Sequence, residues 1–184
     1  MTLSKATEPG IDAPENVKPE LLENFDLLRI LPAFAGLSYK ILQLYAYLAR
    51  RKTYEAGASI FESGQPATRA YIVRQGRVQL YITRGSRETG LQILEQQGFF
   101  GYMALLAGFQ WPIGARALVR TELLTLDRDR FKQLVHQFPE ESMQVVEKLV
   151  QLKMHRMQQH METLMQSAND ERQQLLFFRM ENDY

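Results

Sequence analysis

The chain has 184 residues, 45% apolar and 23% charged, with a formal net charge of +1. Such values suit one soluble domain with a tail and supply no global basic field for nucleic acid or acidic lipid. Without cysteine, disulfides, thiolate nucleophiles, zinc ribbons and cysteine-held iron–sulfur clusters are excluded.

Residues 1–17 are polar, carry Pro9, Gly10 and Pro14, and read as a flexible lead-in with no signal-type apolar run. No stretch reaches the roughly 18 apolar residues of a membrane span, so a cytoplasmic protein with no membrane contact is expected. Pro19 opens a helical pattern with Leu21, Leu22, Phe25 and Leu28 on one face, interrupted at Leu31-Pro32. Ser38 is placed to cap a second helix, striped by Ile41, Leu42, Leu44, Tyr45 and Leu48.

From Arg51 the period changes. Short strand-like runs at 52–54, 59–61, 71–73, 78–82 and 91–94 are separated by Gly57, Gly64, Gly76, Gly85, Gly90 and Gly98. This spacing predicts a small sandwich or barrel. Gly101 to Ala107 is too rich in alanine and leucine for a strand and is expected as a short helix. Strands at 115–119 and 122–126 follow, then a helix capped by Asp127 or Asp129 and running through His136. Pro139-Glu140-Glu141 begins a long helix, with proline early and acids in the first turn.

That helix carries Val146, Val150, Met154, Met157, Met161, Leu164 and Ala168 at steps of four, four, three, four, three and four. From Val150 onward this is a heptad seam, and Val150, Met154, Met157, Met161 and Leu164 are the expected dimer contacts. From Pro139 to Ala168 the helix would run roughly 45 Å, too far for one small roll to cover. Its first turns are expected on the roll and the rest against a second copy.

The order of elements and three blocks of sequence resemble the cyclic-nucleotide-binding domain of the catabolite activator protein and its relatives. The blocks are Leu31-Pro32-Ala33-Phe34-Ala35-Gly36-Leu37-Ser38, the glycine-punctuated stretch from Tyr54 to Val78, and Gly98-Phe99-Phe100-Gly101-Tyr102-Met103-Ala104-Leu105-Leu106. The last is similar to the family's phosphate-binding cassette, where a short helix after a glycine presents backbone N–H groups to an anion. The resemblance implies an α+β fold: an antiparallel, jelly-roll-like β-roll at 18–138 flanked by N-terminal helices, then a long dimerisation helix at 139–168. Residues 169–184 are expected as a C-terminal tail or short helix.

In the family a glutamate that grips the ribose directly follows the cassette glycine, and an arginine that neutralises the phosphate follows the next proline. Here Tyr102 follows Gly101, and Ile113 follows Pro112. The frame of Met103, Ala104, Leu105, Gly114 and Ala115 persists around both. Losing the two anchors predicts at least a roughly hundred-fold loss of affinity, so tight cyclic AMP or GMP binding is not expected. Arg116 lies an odd number of strand positions from Ile113, on the opposite face, and is expected to replace the arginine only through a bulge. Phe109 and Trp111 could fill the emptied pocket, stack on an unfamiliar ligand or meet a partner.

Nothing points to catalysis, metal or cofactor. His155 and His160 are five apart, not the three or four that would share a metal on one helix face. Arg69, Arg74, Arg77, Arg84 and Arg87 interleave with Glu62, Glu88 and Glu95 and read as a solvated face. Asn169-Asp170-Glu171-Arg172 resembles the hinge before a DNA reader, but the residues to Tyr184 are too few for a helix-turn-helix, so no specific DNA binding is expected. Leu175, Leu176, Phe177 and Phe178 would fold back or meet a partner. The expected function is a non-catalytic, homodimeric regulator or adaptor acting through a protein partner. A small-molecule sensor and a transcription regulator without its reader are the alternatives.

Overall fold

The computed structural model describes residues 19–181, and side chains through Ser167. The expected lead-in, and the side chains of Leu175 to Phe178, lie outside these. Helix α1 (Pro19–Arg29) leads through a single 3-10 turn at Pro32–Phe34 to α2 (Tyr39–Leu48). The Ser38 hydroxyl accepts from the Ile41 N–H, as its position as N-cap requires. On α1 the buried face is Asn24, Leu27 and Leu28, with Leu21 and Phe25 packed beside it. Leu22, expected on that face, is exposed.

Eight strands follow: β1 (Arg50–Tyr54), β2 (Ser59–Phe61), β3 (Arg69–Gln75), β4 (Val78–Arg84), β5 (Arg87–Leu94), β6 (Phe99–Phe100), β7 (Gly114–Ala117) and β8 (Thr121–Asp127). Helix α3 (Met103–Leu106) stands between β6 and β7; α4 (Arg128–Gln137) and α5 (Pro139–Glu181) close the chain. The strands form two antiparallel sheets of four, ordered β1-β8-β3-β6 and β2-β7-β4-β5. The architecture is the expected α+β β-roll with N-terminal helices and a long C-terminal helix.

The first sheet is covered on both faces, which explains why Ala70-Tyr71-Ile72-Val73 is an unbroken apolar run. Ala70, Ile72, Leu124 and Leu126 face a core built by the helices, with Leu28, Phe34, Ile41, Tyr45, Phe131, Val145 and Leu149. Tyr71, Val73 and Leu123 face the other way, into the roll, with Phe61, Val78, Phe100 and Trp111. Alternation along each strand sends successive side chains to different cores. Gly76, at φ +98°, makes the β3–β4 turn where a Cβ would sit 2.5 Å from the Thr121 hydroxyl oxygen. Only glycine fits there.

Helix α5 joins the helical core through Val145 and Leu149, with Val146 and Leu152 at its margin. It continues unbroken past Ala168 to Glu181. The hinge suggested at Asn169–Arg172 is absent because those residues include neither glycine nor proline, and polar residues alone cost a helix only tenths of a kcal/mol each.

The Tyr45 hydroxyl is enclosed in the helical core and makes no well-formed hydrogen bond among the described residues, although the Ser142 hydroxyl, which donates to the Leu134 carbonyl, lies nearby. Burial pushes its pKa up to about 12. Tyr45→Phe is therefore expected to raise the unfolding free energy by about 1 kcal/mol, read from urea denaturation. A loss of that size would show that the hydroxyl is hydrogen-bonded.

Candidate functional site

The cassette begins at Gly101, whose φ of +68° and close neighbour Trp111 both demand glycine; a Cβ would lie 2.8 Å from the indole ring. Immediately after it, Tyr102 turns its ring into the helical core, 5.2 Å from the Phe99 centroid. The guanidinium of Arg156, from α5, lies 5.3 Å from the centre of the Tyr102 ring. Its Nη1 also donates to the Phe99 carbonyl at 3.1 Å. Burial raises the Tyr102 phenol above its ordinary range, opposed by the nearby Arg156. One arginine thus holds the long helix to both sides of the cassette glycine.

The N–H groups of Ala104 and Leu105 donate to the carbonyls of Gly101 and Tyr102 at 2.9 and 3.0 Å. They are already satisfied, so the anion site expected at this short helix is smaller than its sequence suggests. At the other end of α3, Arg128 donates to the carbonyls of Ala104 and Ala67, tying α4 to the cassette.

Trp111 stacks on Phe61 with centroids 4.1 Å apart and planes at 14°, and Phe109 meets it edge-on at 5.3 Å. The indole is 6% exposed and occupies the inner end of the site. Outside it remains a cavity of about 230 Å³. Among the expected residues, Gly101, Tyr102, Met103, Trp111 and Ile113 line it. Ala104, Leu105 and Ala115 are buried in the cores, and Gly114 lies against the Tyr81 ring, 2.3 Å from where its Cβ would be.

Sequence reasoning missed Leu80, Phe100, Lys153 and Arg156 on the cavity wall. Arg156 had a signal. Val145, Leu149, Leu152 and Arg156 recur at four, three and four, a second stripe on the long helix beside the heptad seam. The seam residues Val150, Met154, Met157, Met161 and Leu164 are exposed along α5 of the single chain.

Arg116 points to the outer face of β7, as strand parity requires. Its Nε and Nη2 donate to Gln79 Oε1 at 3.1 and 2.9 Å, and its Nη1 to Glu88 at 2.7 Å. The guanidinium lies 4.8 Å from the Tyr81 ring centre. Elsewhere on the roll, Arg74 pairs with Glu122 and Glu23, and Arg69 with Asp127.

Residues 51–138 match the family model for the cyclic nucleotide-binding domain. Those residues form a cyclic nucleotide-binding domain. A cyclic AMP receptor protein from Thermus thermophilus is 33% identical over 109 residues, covering 59% of this chain and 50% of its own. The crystal structure of the Thermus thermophilus catabolite activator protein superposes with a TM-score of 0.63 at 30% identity, over 72% of this chain and 61% of that one. The N-terminal domain of a transcriptional regulator from Streptomyces coelicolor gives the same TM-score at 25% identity, over 71% of this chain and 94% of that domain. The chain spans half or less of the length of the first curated relatives it matches. Among the described residues no helix is long and apolar enough to cross a membrane.

Proposed function

We propose that this chain is a non-catalytic regulatory module that does not hold cyclic AMP or GMP in the family's usual way, and that it acts as a homodimer through contacts with a protein partner. One observation carries the reading. Tyr102, where the resemblance implies the ribose-gripping glutamate, has its ring in the helical core beside Arg156. Ile113, where the phosphate arginine is implied, presents hydrocarbon to the cavity. Arg116 does not substitute for it, because Gln79 and Glu88 hold it on the opposite face.

Each missing charge-assisted contact is worth about 1.5–3 kcal/mol, so the pair accounts for at least a hundred-fold in affinity. Calorimetry with cyclic AMP and cyclic GMP is expected to show no site of micromolar or tighter affinity. Such a site for either nucleotide would overturn the reading.

The output side of the module is α5. Its inner stripe packs on the roll while its outer stripe of valine, methionine and leucine stays exposed. An apolar heptad row of this kind is satisfied by a second copy lying alongside. Methionine at so many seam positions favours adaptable packing over a tight register.

A further inference from the structure

We infer that the cavity between the cassette and α5 binds a small apolar carboxylic acid, with its hydrocarbon body on the roll and its carboxylate held by Lys153 and Arg156. The inference rests on the proposal that Tyr102 and Ile113 exclude the usual nucleotide pose. Size comes first. At about 230 Å³ the cavity falls below the ~300–1,000 Å³ of pockets that take drug-sized ligands. The bulk of Trp111, stacked on Phe61, takes up the inner end.

The lining then sets the chemistry. Leu80, Phe100, Phe109, Trp111, Pro112 and Ile113 form apolar walls suited to a ring or short branched chain. No carboxylate lines the cavity among the described residues, while Lys153 and Arg156 both do. Two positive groups with no counter-charge exclude a cationic ligand and favour an anion. Lys153 makes no ion pair among the described residues, so its ammonium is available. Arg156 donates through Nη1 to the Phe99 carbonyl and still has further N–H groups. A polar sugar finds no acidic acceptor for its hydroxyls here, whereas an apolar acid satisfies both kinds of wall.

Both cations belong to α5, between the stretch packed on the roll and the end of the exposed seam. A bound acid therefore bridges the roll to the long helix and strengthens the contact that Arg156 already makes alone.

Trp111 is the only tryptophan in the chain, so its emission reports on this cavity directly. The full chain would be titrated with benzoate and octanoate, and with benzamide and octanamide as uncharged controls. Calorimetry would accompany the fluorescence, and cyclic AMP would be run in parallel. At least one acid is expected to bind saturably with a change in Trp111 emission, and its amide about ten-fold more weakly or worse. Lys153→Glu, at an exposed position that leaves the fold intact, is expected to weaken the acid by at least about ten-fold. Ile113→Phe, which narrows the cavity without adding a second tryptophan, is expected to weaken the acid by at least about ten-fold.

Failure of both acids to bind, equal binding of acid and amide, or no effect of Lys153→Glu would each overturn the inference. Micromolar binding of cyclic AMP would instead overturn the proposal beneath it. The two failures are therefore distinguishable.

Discussion

Leu149→Ala is expected to lower the unfolding free energy by about 2–5 kcal/mol, the range for deleting a fully buried leucine from a core that relaxes only in part. Leu149 is 0% exposed and packs with Phe34, Tyr45 and Val145 where α5 crosses the N-terminal helices. It lies one residue before Val150, which is 44% exposed on the seam side of the same helix. Val150→Ala is expected to change the stability of the monomer by no more than about 0.5 kcal/mol. Denaturation at low protein concentration, where dimers are absent, separates the two. Equal losses would mean that α5 is not fixed on the roll by the Val145–Leu149 stripe.

Met157→Glu has the opposite profile. Its side chain is 43% exposed in the single chain, so the folded monomer should tolerate the change. In a paired seam, two carboxylates would lie close together in apolar surroundings. Both desolvation and like-charge repulsion oppose that arrangement. The dimer is expected to weaken by at least about a hundred-fold and to give monomers by light scattering at micromolar concentration. Unchanged thermal unfolding of the monomer, set beside lost dimerisation, is the signature of a seam residue. A variant that stays dimeric at that concentration would place the seam elsewhere on the helix.

These substitutions also separate what α5 does for the fold from what it does for assembly. Val145 and Leu149 attach it, Lys153 and Arg156 line the cassette cavity, and Val150, Met154 and Met157 stay exposed. Three stripes on one helix therefore have three different surroundings. The arrangement places any change at the cassette within one helical turn of the proposed dimer contact.

Much of this was legible in the sequence because local chemistry decided it. Pro19, Ser38 and Pro139 mark helix starts through backbone rules that hold in any context. Glycines at 57, 64, 76 and 85 adopt positive φ at the turns between strands, where a side chain would be strained. The outward facing of Arg116, between the buried Ala115 and Ala117, follows from strand parity alone.

Other features belong to the tertiary structure. Strand β6 is only Phe99 and Phe100, too short to show any period, and it exists because Tyr71 and Ile72 of β3 pair with it. Leu27 rather than Leu22 is buried on α1, since the neighbouring elements set which part of an amphipathic face is covered. The pairing of β1 with β8 joins Arg50 to Thr125, a long-range contact with no local signature. Above all, the cavity has walls from strands β4 and β6, from the segment after α3, and from α5. The sequence by itself determined the fold class, the turns and the chemistry of each wall. Only packing decided that Arg156 would lie against Tyr102 and that Lys153 would line the same cavity as Trp111. Periodicity sorts residues by face, while the neighbour each face meets depends on how distant elements dock.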